Sequence, residues 1–215
     1  MSSTHWVMTM VDDPALRERL RARLEPVGRD DADLPMRGDG DLNGQHSPTG
    51  QTLRPASVLV PLVLHDGPAR LVLTERAAHL NQHAGQVSFP GGRVEVGQET
   101  GAEAALREVE EEIGIRPDQV ELVGQFDAYE TVTGFRVTPF VGIIAPGYNI
   151  VADPNEVADV FEAPFEFLMD PANHQRQSRV WQGRRRYFYA MPWQERYIWG
   201  ATAGMLKALH DRLYG

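Results

Sequence analysis

The strongest constraint on the fold lies between Gly91 and Ile115, in the run GGRVEVGQETGAEAALREVEEEIGI. A glycine pair, a polar loop and a helix dense in carboxylates follow one another there. Thr100, with Glu103 three residues on, makes a capping box that satisfies the first amides of the helix. Gly114 stands where a helix ends in a left-handed residue. At about 100° per residue, Ala102, Ala105, Leu106, Val109 and Ile113 fall within an arc of roughly 100° and predict the buried face. Glu108, Glu112 and Glu111 line one edge of that arc. Glu110 falls on the other flank, toward solvent.

Carboxylates at i, i+3 and i+4 repel one another and destabilise a helix. Arg107, four residues before Glu111, can pair with it, but one guanidinium cannot neutralise three carboxylates. Hard oxygen ligands grouped in this way suit Mg²⁺ or Mn²⁺, bound mainly when a phosphate supplies further ligands. A run of charge is usually just a solvated helix face. Here the carboxylates sit beside the buried stripe and directly after a Gly-Gly turn, which favours Glu108, Glu111 and Glu112 as metal ligands.

The run Arg107 to Ile115 (REVEEEIGI) resembles the REUxEExGU core of the Nudix hydrolases, where U is a bulky apolar residue. The full box of that family is GX5EX7REUXEEXGU, and this chain has one extra residue in the loop. Counted from Gly92, the loop Glu falls on Gln98; counted back from Arg107, it falls on Glu99. A second resemblance covers Leu71 to Gly92 (LVLTERAAHLNQHAGQVSFPGG), which is similar to the signature of the coenzyme A diphosphatase branch, roughly LLTxRSxxLRxHxGxVxFPGG. Thr74, Arg76, Leu80, His83, Gly85, Val87, Phe89, Pro90, Gly91 and Gly92 match. Ala77 stands where Ser is usual and Asn81 where Arg is usual.

The rest of the chain fits one decorated domain. Its 215 residues and 42% hydrophobic content are ordinary for a soluble globular protein. There is no cysteine, hence no disulfide, thiolate ligand or thiol nucleophile. A formal net charge of −9 argues against a nucleic-acid partner. No apolar run approaches a membrane span, and the N-terminus lacks the features of a signal peptide, so a cytoplasmic protein is expected.

Residues 1–51 read as an N-terminal helix, Pro14 to Leu24, followed by a polar loop from Val27 to Gln51. The helix stripe Leu16, Leu20, Leu24 packs within the chain or meets a second copy in a homodimer. GDGDLNG in the loop lacks the twelfth-position Glu of a calcium loop. Residues 52–215 hold the catalytic domain. Ala56 to Leu64 and Ala69 to Leu73 read as buried strands, with Pro61 pointing to an edge or a bulge in the first. His79 and His83 read as surface imidazoles of a loop, since no Glu completes a zinc motif. Val120 to Tyr129, Phe135 to Ile144 and a segment from Val157 through Phe161 follow as strands. Pro164 to Met169 is a short helix, Arg179 to Ala190 a hairpin turning at Gly183, and Trp199 to Tyr214 an amphipathic helix that covers the sheet.

The resemblance implies an α/β fold, a Nudix-type α/β/α sandwich with a mixed sheet between helices. It implies a hydrolase of nucleoside diphosphate derivatives, with coenzyme A or an acyl derivative as substrate. ADP-ribose or another nucleoside diphosphate is the first alternative, and a non-catalytic nucleotide-binding regulator the second. It also implies that Arg107 orients Glu111. Either Glu108 or Glu156 acts as base, and Arg76, His83, Phe89, Gly91 and Gly92 form the substrate side of the site.

Overall fold

The computed structural model describes residues 13–44, 52–64, 67–80, 83–145, 147–181 and 183–215. The signal-peptide reading of the extreme N-terminus, the His65-Asp66 half of the first turn and Asn81 fall outside them. Apolar residues alternate along Arg54–Val63 and Phe135–Ile144, and this period of two divides the core. Leu59, Val63, Phe140 and Ile144 join Ala105, Val109 and Ile113 on one face of the sheet. Val60, Leu62, Val141 and Ile143 join a larger cluster with Leu16, Leu20, Leu168, Leu206 and Leu209 on the other.

In chain order the elements are α1 (Pro14–Arg23), β1 (Met36–Gly38), β2 (Arg54–Val63), β3 (Arg70–Arg76), β4 (Val87–Ser88) and β5 (Gly91–Arg93). Then come α2 (Gly101–Ile113), β6 (Val120–Gln125), β7 (Ala128–Glu130), β8 (Phe135–Ile144), β9 (Val157–Pro164) and α3 (Phe165–Met169). A meander of β10 (Gln175–Trp181), β11 (Arg184–Trp193) and β12 (Arg196–Trp199) leads to α4 (Ala201–Tyr214). The main sheet runs β1-β7-β8-β2-β3-β4, with β5 on β2, β6 on β8 and β9 on β3. The pairs β1–β7 and β2–β8 are parallel and the others antiparallel, so the sheet is mixed. With α2 on one face and α1, α3 and α4 on the other, it is the expected α/β/α sandwich. Among the described residues no helix is long and apolar enough to cross a membrane.

Some local expectations hold and others need correction. Asp13 caps α1 by accepting from the Leu16 amide at 2.9 Å, and Leu16 and Leu20 are buried in the chain's own core. Each such side chain contributes about 1.5–3 kcal/mol by leaving water. The polar stretch from Val27 is not a plain loop where it is described. Met36–Gly38 pairs in parallel with Ala128–Glu130. Asp39 accepts from the Tyr129 hydroxyl at 2.9 Å and the Val132 amide at 3.0 Å. Asn43 exchanges two bonds with the Tyr187 backbone, at 2.9 and 2.8 Å.

Pro61 lies in an interior strand, paired with Gly142 of β8. The Leu59 amide donates to Pro90 O at 3.0 Å. Two residues on, the Pro61 nitrogen faces the same side, at the break between the β5 pairing and the β3 pairing. No ladder bond is lost there, which is why proline is tolerated. The strand expected over Val120 to Tyr129 divides at Phe126 and Asp127. Trp199 ends a third meander strand, and the last helix starts only at Ala201.

Candidate active site

The capping box of α2 is formed as expected. The Glu103 amide donates to Thr100 Oγ1 at 3.3 Å and the Thr100 amide to Glu103 Oε2 at 2.8 Å. Gly114 closes the helix with φ +74°. The buried face is rotated from the expected one. Ala104, Ala105, Val109, Glu112 and Ile113 are buried, while Ala102 and Leu106 are only half-buried. This rotation carries Glu112 into the interior and leaves Glu111 exposed.

Beside the helix, β5 runs antiparallel to the start of β2, with Ser57 opposite Gly92 and Val58 opposite Gly91. Both glycines are needed for close approach. A Cβ on Gly92 would lie 2.2 Å from Glu108 Oε1, and one on Gly91 would lie 2.4 Å from Ser57 O. The Glu108 carboxylate thus occupies the space a side chain would take. The Gly91 amide donates to Glu112 Oε2 at 3.2 Å.

Glu112 is 3% exposed. Burial pushes its carboxyl up to about 8, and the charges of Glu108 and Glu156 add to the rise. The Gly91 amide and Arg76, whose Nη1 lies 3.9 Å from Glu112 Oε1, pull the other way and do not compensate. Burial also raises the Glu108 carboxyl, against the Arg107 hydrogen bond, and Glu111 and Glu156 add to the rise.

Arg107 holds more than the one partner expected for it. Its Nε and Nη2 donate to the two oxygens of Glu99 at 3.0 and 2.8 Å, a bidentate pair. Its Nη1 reaches Glu108 at 2.9 Å and Glu111 at 3.1 Å, and Nη2 also reaches Arg93 O at 3.1 Å. Glu99 foremost, and then Glu108, raise its proton affinity further, against the cost of burial. The longer loop therefore puts Glu99, not Gln98, on the guanidinium. The loop turns at Gly97 (φ +83°), where the Gln98 amide bonds Glu95 O at 2.9 Å. Sequence counting alone could not choose between the two residues, because the choice depends on reach in space.

Glu156 arrives on a separate segment. The Val151 amide donates to Ile113 O and the Asp153 amide to Glu112 O, both at 2.9 Å, satisfying carbonyls that the end of α2 leaves open. The Ala77 amide donates to Glu156 O at 2.9 Å. These ties hold Glu156 near enough to raise both Glu108 and Glu112.

Arg76, Gly91, Gly92, Arg107, Glu108, Glu111, Glu112 and Glu156 thus gather around one end of α2. His83 is exposed, with Nδ1 on Gln86 Oε1 at 2.8 Å. Phe89 is 3% exposed and packs in the core on the α4 side of the sheet. This corrects its expected place on the substrate side: its side chain supports the turn from beneath.

The expected three-carboxylate metal cage is not preassembled. Among the described residues no three acidic, His or Cys side chains converge as one. Arg107 Nη1 instead bridges Glu108 and Glu111, and Glu111 leans into solvent. The donor set still fits a divalent ion. Glu108 and Glu112 are hard oxygen donors, crowded, short of cations and raised in proton affinity.

The family profile of the NUDIX domain matches residues 53–189. The chain belongs to the Nudix hydrolase family. The uncharacterized Nudix hydrolase NudL of Citrobacter koseri is 42% identical over 171 residues, which cover 74% of this chain and 84% of that protein. NudL of Escherichia coli K12 is 39% identical over 156 residues, 73% of this chain and 81% of that one. Among solved structures, the NUDIX domain of Shewanella oneidensis NrtR complexed with ADP ribose matches with a TM-score of 0.47 and 16% identity, covering 80% of this chain and 96% of that one. This Nudix protein is a pyrophosphohydrolase of nucleoside diphosphate derivatives. Nudix hydrolases generally use divalent metal ions.

Proposed function

We propose that this Nudix hydrolase cleaves the diphosphate of coenzyme A or acyl-coenzyme A, giving 3′,5′-ADP and 4′-phosphopantetheine or its acyl form. One observation carries the reading. The segment that resembles the coenzyme A diphosphatase signature is the segment that builds the site, bringing Arg76 to Glu112 and the Gly91 amide onto the same carboxylate.

The chemical obstacle is electrostatic, since a nucleophile must approach a doubly charged diphosphate. Glu108, Glu111 and Glu112 would hold Mg²⁺ or Mn²⁺, which would offset the charge of the diphosphate and make water more acidic. Arg107, fixed by Glu99, positions Glu108 and Glu111. The lack of a side chain at Gly92 lets the Glu108 carboxylate lie against the backbone of β5. Glu156 takes the proton from the attacking water as its oxygen bonds to phosphorus, and the bridging P–O bond breaks toward the departing phosphate. Glu156 suits this task because it stands on its own segment, free of the helix ligand set.

The test is hydrolysis of coenzyme A, ADP-ribose and NADH by the purified protein with Mg²⁺ or Mn²⁺. Coenzyme A should give the highest kcat/KM. A preference for ADP-ribose replaces the substrate, and binding of nucleotide without any hydrolysis replaces the enzyme reading with a regulator.

A further inference from the structure

We propose that Arg196, the first residue of β12, is a positioning residue for hydrolysis: it fixes the pairing of β3 with β9 from which Arg76 and Glu156 enter the site. Its Nη1 donates to Glu75 and its Nη2 to Asp159. Those two acids belong to neighbouring strands and stand directly opposite each other in the ladder. Like charges at such a pair push the strands apart. One guanidinium between them turns that repulsion into a bridge. Among the described residues neither acid has another ion pair.

The bridge sits at the last regular step before a bulge. Glu75 is paired with Asp159, but Arg76 is paired with Val157, so Ala158 is left over on β9. An extra residue of this kind re-aims the side chains beyond it. Glu75 continues the row of Leu71 and Leu73 on the α4 side of the sheet, and Arg76 continues from Val72 on the α2 side. Arg196 therefore grips one face, and the consequence appears on the other through the strand backbones. Arg76, next after Glu75, brings Nη1 to 3.9 Å from Glu112 Oε1. Glu156, next before Val157, has its carbonyl held by the Ala77 amide at 2.9 Å.

The guanidinium is itself well fixed. Its carbon lies 4.6 Å from the centroid of the Phe161 ring. Phe161 stacks at 6.0 Å on Trp193, the β11 partner of Arg196. Arg196 lies beyond residue 189, where the match to the family profile ends. The C-terminal meander thus supports a site whose reacting groups all come earlier in the chain. The inference rests on the proposed function, because it takes Glu156 as the base.

The experiment measures kcat with coenzyme A or ADP-ribose, whichever is cleaved faster. Arg196→Gln should lower kcat by about 10–10²-fold, the cost of a misplacement on the order of 1 Å. In a Glu156→Gln background it should lower kcat further by less than about twofold, because the two residues act through one step. Adding Glu75→Gln to Arg196→Gln should recover most of the loss, since the opposed charges are gone. Arg179→Gln, which removes the cation from the Trp199 ring on the same meander, should leave kcat unchanged. A loss below about twofold in Arg196→Gln, additive losses with Glu156→Gln, no recovery with Glu75→Gln, or an equal loss in Arg179→Gln overturns the assignment. Hydrogen exchange supplies a readout that needs no turnover. The Ala77 amide should exchange about tenfold faster or more in Arg196→Gln, while the Leu59 amide, bound to Pro90 O, keeps its rate. Normal turnover in Glu156→Gln removes the base and not the bridge, which exchange then judges alone. An unchanged Ala77 rate overturns it.

Discussion

Two buried carboxylate clusters sit on opposite faces of the sheet, and they differ in how their charge is met. Asp127, between β6 and β7, has a side chain only 7% exposed and two guanidiniums on it. Arg37 Nε lies 3.2 Å from one oxygen, and Arg212 contacts the other while also reaching Glu25 at 3.3 Å. Glu112 is as deeply buried, but its one guanidinium stands off at 3.9 Å and its other neighbours include Glu108 and Glu156. A buried charge must be paired or neutralised. The first cluster is complete within the chain and pins α4 to the N-terminal segment. The second is incomplete: burial meets it by keeping the Glu112 carboxyl protonated, a place that a divalent cation would take under the proposed function. Depth of burial does not separate structural from functional acids here; the count of opposing charges does.

Charge removal should therefore act oppositely at the two places. Glu112→Gln is expected to lower hydrolysis by more than about 10³-fold while the metal-free thermal midpoint holds at neutral pH, because the amide replaces a carboxyl that burial already keeps uncharged. Glu111→Gln should lower turnover by orders of magnitude as well, again with the fold kept. Turnover near wild type at saturating Mg²⁺ in either variant removes that residue from the ligand set.

Asp127→Asn should do the reverse. It leaves two guanidiniums over a neutral group, and the loss should be about 2–4 kcal/mol, reduced from the fully buried case because Arg37 is half-exposed. Denaturant unfolding reads this directly. A midpoint equal to wild type would show that the pairing contributes nothing.

Glu156→Gln sharpens the division within the second cluster. It should lower kcat by about 10²-fold, typical for a general base, with Mn²⁺ affinity nearly intact by EPR titration. Glu108→Gln should weaken both. Normal turnover in Glu156→Gln means that the base is elsewhere.

A further effect is on pH dependence. In the folded, metal-free protein Glu112 holds its proton up to about 8, against an ordinary value of 4.5 in the unfolded chain. Between these values the folded state binds more protons than the unfolded state. Stability therefore falls as pH rises through that window and levels off above it. The slope should be visible in thermal midpoints measured in chelator, should vanish in Glu112→Gln and should flatten with Mn²⁺. The same slope in the variant assigns the effect to another group.

The sequence made α2 legible because its signals are local: a capping box, a terminal glycine and a helical period within one stretch. The meander tip at Gly183 was legible for the same reason. What escaped depends on partners far along the chain. The strand Met36–Gly38 lies in a polar segment and exists through β7, Tyr129 and Tyr187. The choice of Glu99 over Gln98, the depth of Glu112 and the core position of Phe89 all follow from how α2 and β5 rest on β2. Periodicity on a single helix cannot report that placement.

The parallel pairing of β2 with β8 bears on how the protein folds. Every partner in that ladder is separated by 81 positions in sequence. The chain between them contains the glycine turn, the whole of α2 and both strands of the Asp127 corner. The apolar floor of α2 is laid by Leu59 and Val63 from one strand and by Phe140 and Ile144 from the other. No short-range nucleus can therefore support the carboxylate row. Closing so long a loop precedes most of its reward, which places this domain among slow folders. On the ribosome, α2 would leave the exit tunnel well before its floor exists, so competence to bind a cation should arise late, in the same step that closes the sheet.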